Sequence, residues 1–387
     1  MSQFFLDTGY QFDSLEKCLE LANAGDSSAQ YYIGATYCGY GFPIPSTEVN
    51  YNIAKEWYMK AAEQGHKDAQ YYLGRLYHWQ LKEYSKAIFW FKKSAEKGHF
   101  EAMVYLAKAL QKNIKKQNII AKYRESIFWY EKILNIKNID LTKGEFEIEE
   151  NDLYFIENIV LNLVNIYLNA DDKEIRNVDK AIKILEKTGE KSLNIYMYLV
   201  NLYLNYDDPR TYNVRKAICM LEKKANLSID AACLLGKLYA GEESKYPKEI
   251  QDFCRAETLF NNCIENYSIE AINSLCKLYK KQEKYSEAFQ VLDNSYKKIE
   301  KLKNKKKKME KLYEDGDYNL SDFEDFETFN EDSENNRNHY CELLIEIAIF
   351  YKTGLGVKVD IESSKKYLRK AKGRECYQAK ILLGDFE

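Results

Sequence analysis

Small and apolar positions recur along the chain at helical spacing, and the same arrangement returns several times. An opening Ala, Ile or Leu is followed eight positions later by Tyr or, once, Leu110. Such self-similarity predicts an array of short helical units. Two intervals are longer than the others, which indicates insertions after Ala102 and Ala271. The openings are Ala29, Ala69, Ala102, Ile159, Ile195, Ala231, Ala271, Leu343 and Ala379.

Each unit carries a second pattern, in which Ala or Ser stands three residues before a bulky side chain, as in Ala54/Trp57 and Ala87/Trp90. Alternating small and large residues allow two antiparallel helices to approach closely. Glycines 25, 65 and 98 stand where the second helix should end in a left-handed residue. The four prolines all fall between a first and a second helix. We therefore predict eight helix pairs, flanked by half-repeats at 14–24 and 379–387.

The repeated units share the motif A-x-x-Y-L-G-x-x-Y … K-A-x-x-W-x-x-K-[AS]-A-E-x-G-H-x-x-A, which is matched best at 54–77 and 87–106. This motif resembles the Sel1-like repeat, a relative of the tetratricopeptide repeat. The loops at 38–41 and 354–360 are similar to that family's glycine-rich segment. The resemblance implies an all-α fold, a right-handed α-solenoid of antiparallel helix pairs. It also implies an adaptor in signalling, secretion-related assembly or toxin neutralisation. Some secreted members carry a disulfide in each repeat, but the cysteines here stand at other positions.

The composition narrows the class of protein. Hydrophobic residues make up 45% of the 387, enough for a large core, and 57 Lys and Arg against 60 Asp and Glu exclude a generally basic nucleic-acid binder. The nine cysteines contain no C-x-x-C pair, which favours a reduced, cytoplasmic chain. The N-terminus has no secretory pattern, and no run of about 18 apolar residues predicts a membrane span.

Two insertions set the expected domain organisation. We predict helical repeats over 1–299, with a surface loop or small hairpin at about 135–152, a charged insertion over 300–338, and C-terminal repeats over 339–387. The lysine-rich run 301–311 should continue the helix that begins near Ser286. The acidic stretch after it is either a solvated excursion or a docking segment, whose aromatic residues would share one face of a helix. They are Phe323, Phe326 and Phe329.

No catalytic constellation stands out from the sequence. There is no phosphate-binding glycine loop, no H-E-x-x-H and no G-x-S-x-G. His66 and His99 occupy the same repeat position, in a turn, which indicates capping or surface roles. With only four histidines, we expect no His-built metal or catalytic centre. In the absence of such motifs we also expect no enzyme activity, no cofactor and no small-molecule substrate.

Binding is the remaining class of function, and in helical-pair solenoids ligands usually lie against the first helices, which line the concave face. The sixth position after each opening holds a cation or an amide in six consecutive repeats. Lys and Arg can hold carboxylates, and Asn can bind a peptide main chain. Exposed helix positions are often Lys or Asn without any ligand, and Tyr31 and Tyr71 could instead pack between repeats. The candidate groove residues are Tyr31, Tyr71, Arg75, His78, Trp79, Lys108, Lys112, Asn165, Asn169, Asn201, Asn205, Lys237, Lys277, Lys280 and Lys281.

The leading hypothesis is a non-enzymatic protein–protein interaction scaffold that binds an acidic or extended partner in this groove. A second is a regulator or immunity-type inhibitor that neutralises a folded enzyme or toxin. A third is attachment to nucleic acid or to an anionic membrane surface through Lys301–Lys311, although we expect no tight nucleic-acid binding. A further hypothesis is that the acidic insertion covers part of the groove of its own chain.

Overall fold

All of the regular structure in the described part of the chain is helical, and its helices form two compact units, Met1–Leu199 and Val200–Glu387. Each unit is built from helix pairs in which a first helix packs against the second helix that follows it. The computed structural model describes residues 15–39, 49–112, 119–136, 150–314, 334–373 and 376–384.

Unit 1 begins with a half-repeat helix, and the pairs α2/α3, α4/α5, α6/α7 and α8/α9 follow. The tenth helix crosses the boundary between the units, so only its first part belongs to unit 1. The helices are α1 Leu15–Asn23, α2 Ser27–Tyr37, α3 Tyr51–Glu63, α4 Lys67–Trp79, α5 Tyr84–Glu96, α6 Phe100–Lys112, α7 Ile119–Ile136, α8 Glu150–Asn169, α9 Val178–Gly189 and α10 Leu193–Leu204.

Unit 2 continues the alternation and ends on the second predicted half-repeat. The order of first and second helices, pair by pair, confirms the sequence pattern. The helices are α11 Val214–Lys224, α12 Ile229–Ala240, a short 3₁₀ helix Lys248–Ile250, α13 Phe253–Glu265, α14 Ile269–Lys281, α15 Tyr285–Glu314, α16 Glu334–Thr353, α17 Ile361–Lys372 and α18 Tyr377–Gly384.

Six of the first helices start at a capping residue three positions before the opening. Asp26, His66 and Ser228 each accept a hydrogen bond from the main-chain N–H of the opening residue, which would otherwise lack a partner in the first turn. His99, Ser192 and Ser268 cap in the same way. The prediction that both turn histidines have a capping role is therefore confirmed. Gly25, Gly65 and Gly98 have positive φ angles of 102°, 94° and 84°, as expected at the end of a second helix.

The two helices of a pair approach closely because a glycine faces an aromatic ring. A Cβ atom added at Gly34 would lie 2.6 Å from the Tyr58 ring, and one added at Gly74 would lie 2.7 Å from Phe91. Gly236 faces Phe260 with the same 2.7 Å separation. The rings of Tyr58, Phe91 and Phe260 are almost fully buried. The predicted alternation of small and large residues is therefore the physical basis of pair formation.

The insertions can be compared with the structure only in part. Helix α15 runs without a break from Tyr285 to Glu314, so the prediction that the lysine-rich run continues this helix is confirmed. Pro209 and Pro247 lie between a first and a second helix, as predicted. Residues 137–149 of the first insertion and 315–333 of the second lie outside the described residues, as do Pro43 and Pro45.

All nine cysteines have free thiols, and five of them are buried. Burial raises the pKa of Cys18 to about 11, because the thiolate would lose its hydration. We expect thiol titration in denaturant without reductant to count close to nine reactive groups. A count below half of that number would contradict the predicted reducing, cytoplasmic environment.

Candidate functional site

Tyr31 and Tyr71 lie in the interior of unit 1, where each packs against the histidine of the next turn. The Tyr31 ring stacks on His66 with centroids 5.0 Å apart, and Tyr71 stacks on His99 at 4.4 Å. Both tyrosines are less than one-tenth exposed, and burial raises their pKa. These two rings therefore connect successive repeats, which was the alternative reading of the sequence, and present little surface to a ligand.

The Asp68 carboxylate interacts electrostatically with the histidines of both turns, His66 and His99. Its Oδ1 atom lies 3.3 Å from His99 Nε2, and Glu101 Oε2 lies 3.2 Å from His99 Nδ1. Burial alone lowers the pKa of His99, but the hydrogen bonds to Asp68 and Glu101 outweigh it and raise the pKa above its ordinary value. At His66 burial prevails and lowers the pKa. The pKa values of the two capping histidines thus shift in opposite directions, because two carboxylates lie within 3.3 Å of His99, whereas Asp68 lies 4.0 Å from His66 Nδ1.

An aromatic and cationic surface is exposed on α4 and α6. The Arg75 guanidinium lies 5.5 Å from the centroids of both Trp79 and Tyr72, within the range of cation–π attraction. Trp79 is 44% exposed, and its ring meets Tyr105 of α6 edge to face at 5.1 Å. Trp79 is thus a large exposed ring whose orientation is fixed by its neighbours. We call Tyr72, Arg75, Trp79 and Tyr105 the Trp79 surface.

His78 and Lys108 border the Trp79 surface. The His78 ring lies 4.6 Å from Trp79 and 5.2 Å from Tyr84, so it packs against the tryptophan. Lys108 is half-buried one turn after Tyr105, on the same face of α6. Within the described ranges, no hydrogen bond or ion pair joins the Lys108 ammonium to another side chain. The side chain of Lys112 lies outside the described residues.

A row of asparagines follows one face of α8. Asn158 donates to the Tyr154 carbonyl at 2.9 Å, Asn162 donates to the Asn158 carbonyl at 2.6 Å, and Asn169 donates to Asn165 Oδ1 at 2.6 Å. These bonds fix the amide orientations and occupy one amide hydrogen of each donor. The sequence singled out Asn165 and Asn169, and the structure adds Asn158 and Asn162 to the same face.

In unit 2 the candidate cations are largely engaged within the protein. Lys237 bonds to Glu270, and Lys280 bonds to Glu346 at 2.9 Å. Burial alone lowers the pKa of Lys237, but its bond to Glu270 outweighs burial and raises the pKa. Lys281 donates to the Ala240 carbonyl at 3.1 Å. Lys277 is exposed on α14, as are Asn201 and Asn205 at the end of α10.

The acid that pairs with Lys237 lies at a repeat position outside the predicted groove positions. Glu270 stands directly before the opening Ala271, whereas Lys237 is the sixth residue after the preceding opening, Ala231. The same offset places Glu101 after Arg75 and Glu342 after Lys277. The acidic residue before the next opening is present in the sequence, but its relation to the cation becomes visible only when one repeat is compared with the next.

The lysine-rich run is partly engaged where its side chains are described. Lys303 lies over the Tyr340 ring at 3.5 Å and within 3.6 Å of Glu300. Phe323, Phe326 and Phe329 lie outside the described residues, so the docking segment stays a prediction. None of the described helices has both the length and the apolar character of a membrane span. Likewise, the described side chains include no group of three or more His, Cys, Asp or Glu arranged to hold a metal ion.

Comparison with known proteins identifies the repeat. The model of the Sel1 repeat matches residues 27–66, 67–99 and 344–372. The chain therefore carries Sel1 repeats in both of its units, as the sequence motif suggested. Sel1 repeats generally mediate protein–protein interactions and typically form non-catalytic scaffolds. A search of curated protein sequences gave no significant match.

Solved structures with similar chains are also Sel1-type proteins. One is a Sel1 repeat protein from Oxalobacter formigenes, 14% identical, with a TM-score of 0.48 and coverage of 96% of this chain and 91% of that one. Another is c5321, a protective antigen of uropathogenic Escherichia coli with an SLR fold, 17% identical, with a TM-score of 0.30 and coverage of 96% and 90%. A putative Sel1 repeat protein from Klebsiella pneumoniae is 14% identical, with a TM-score of 0.21 and coverage of 96% and 98%.

Proposed function

We propose that this protein is a non-enzymatic scaffold that binds a partner protein through the exposed face of the first helices in unit 1. The observation that carries the proposal is Trp79, a large ring left 44% exposed while Tyr105 and Arg75 fix its position. Exposed tryptophans held in a fixed orientation are typical binding hot spots, because little side-chain entropy is lost when a partner covers them.

The neighbouring groups favour an extended and acidic segment as the part of the partner that is bound. Arg75 and Lys108 add positive charge near the exposed ring. Along α8, the asparagines at 158, 162, 165 and 169 are about 4.5–6 Å apart along the helix axis, at a rise of about 1.5 Å per residue. An extended peptide repeats every two residues, or about 6.6–6.8 Å, so successive amides can meet every second peptide group on its main chain.

The proposal is tested by selecting 12-residue peptides from a phage-displayed random library on the full chain. Peptides that bind the Trp79 surface should lose at least about 30-fold in affinity for Trp79→Ala, the loss expected of a hot spot. Fluorescence polarisation with labelled synthetic peptides measures this change.

Trp57→Ala is the matched control. Trp57 is also a partly exposed tryptophan with a cation over its ring, since Lys60 lies 4.0 Å from its centroid, but it stands on the second helix α3. Its removal should leave peptide affinity within about twofold of wild type. If no selected peptide distinguished Trp79→Ala from Trp57→Ala, the proposed binding face would be wrong.

A further inference from the structure

Cations at the sixth position of a repeat are followed by an acid directly before the next opening. Lys237 and Glu270 form this pair in unit 2, where the lysine is about two-thirds buried and bonded to the carboxylate. Arg75 and Lys277 are followed at the same offset by Glu101 and Glu342. The ammonium of Lys237 loses hydration because it is partly buried, and the Glu270 carboxylate compensates its charge. Glu101 lies beside His99, and Glu342 accepts a hydrogen bond from Asn273.

Lys108 breaks this rule. The residue directly before the next opening, Ile159, is Asn158, whose amide cannot supply a negative charge. Asn158 donates instead to the Tyr154 carbonyl of its own helix at 2.9 Å. Among the residues that the structure describes, Lys108 is half-buried and has neither a hydrogen bond nor an ion pair. It is thus a sixth-position cation with no acid directly before the next opening, in contrast to Lys237, which has Glu270 there.

The position of Lys108 connects it to the binding face. Tyr105 and Lys108 are one turn apart on α6, and the Tyr105 ring contacts Trp79 at 5.1 Å. A peptide side chain that covers Trp79 therefore brings neighbouring residues of the same peptide close to the Lys108 ammonium. The asparagine row begins at Asn158, on the helix that follows in the order of first helices.

We propose that an Asp or Glu side chain of the partner binds Lys108 and takes the place that Glu270 occupies beside Lys237. This inference rests on the proposed function and adds its chemical specificity: the partner supplies a carboxylate that the repeat lacks. The repeat itself is the precedent for a carboxylate, since Glu270 and Glu346 are the groups bonded to Lys237 and Lys280. Contacts between a half-buried ammonium and a carboxylate are stronger than those of fully exposed pairs.

The decisive variant is Asn158→Glu, which restores the missing acid within the chain. Its carboxylate should pair with Lys108 and compete with the partner, so we expect acidic peptides that depend on Trp79 to bind about tenfold more weakly. Replacing the peptide's own Asp or Glu by Asn or Gln should weaken binding to wild type by a similar factor and should change little for Asn158→Glu. The thermal midpoint should stay at or above that of wild type, because an ion pair is gained.

Glu270→Gln is the matched control, since it removes the acid at the same repeat position in unit 2 and leaves Lys108 unchanged. Its peptide affinity should equal that of wild type. A second variant, Lys108→Gln, tests the same contact without adding charge and should also cost about tenfold in affinity.

The outcomes separate this inference from the proposed function. If peptides that need Trp79 bound Asn158→Glu and Lys108→Gln as tightly as wild type, or if they carried no Asp or Glu, the carboxylate site would be wrong and the Trp79 surface would stand. If no peptide needed Trp79, the proposed function would fail and the inference with it.

Discussion

Phe91→Ala is expected to destabilise unit 1 by about 3–5 kcal/mol, since it deletes a fully buried aromatic ring at the closest approach of two helices. The ring lies against Gly74 and within 6.2 Å of the Tyr71 centroid and 5.8 Å of Tyr105. Its loss would leave a cavity between α4 and α5 and would remove support for the Trp79 surface. Urea denaturation and hydrogen exchange on α4–α6 measure the effect.

Phe89→Ala is the matched control, because Phe89 stands on the same helix and is 51% exposed. It should change the free energy of unfolding by no more than about 0.5 kcal/mol. Equal losses for the two variants would contradict the assignment of the buried face of α5 and, with it, the proposed alignment of the repeats.

Gly356→Ala is expected to destabilise unit 2 by about 2–4 kcal/mol. Gly356 lies in the loop between α16 and α17 with a φ angle of 67°, a conformation that costs energy for any residue with a Cβ atom. An added Cβ would stand 2.4 Å from the Tyr285 carbonyl carbon and 2.5 Å from the Ser286 nitrogen. Both neighbours are main-chain atoms at the start of α15, so they cannot move aside as a side chain can.

The variant Gly354→Ala separates the cost of the positive φ angle from the cost of the contact with main-chain atoms. Gly354 also has a positive φ angle, 74°, but its added Cβ would meet a Val359 methyl group at 2.6 Å, and a side chain can shift. We expect a clearly smaller loss than for Gly356→Ala, measured by thermal unfolding and by hydrogen exchange at the start of α15. A larger loss for Gly354→Ala would show that the main-chain contact at Gly356 is not the dominant cause.

The helices and the interior of each pair could be predicted from the sequence because their signals are local. Gly65 marks the end of a second helix, and the small residue Ala69 marks the start of the next first helix. Both patterns depend on residues within one or two turns, and the structure confirms both helix ends. The interpretation of Tyr31 and Tyr71 required contacts with the next repeat. A clue was available, since each tyrosine stands two residues after its opening and each histidine stands three residues before the next opening.

The candidate site was less predictable because its character depends on pairs of repeats. Lys237 and Lys280 have the sequence pattern of groove cations, but they bond to Glu270 and Glu346 on the following first helices. Whether a lysine is available to a ligand depends on such neighbours. Lys108 was selected for the same reason as Lys237, and only the comparison of their partners shows how differently the two are placed.

The glycine–aromatic contacts that join the pairs also bear on how the chain folds. Gly34 and Tyr58, Gly74 and Phe91, and Gly236 and Phe260 are near neighbours along the sequence, and the capping residues act over three positions. Contacts between residues close in sequence require little loop closure and are associated with fast folding. Each pair can therefore form as soon as its two helices have been synthesised, so the chain can fold progressively as it leaves the ribosome.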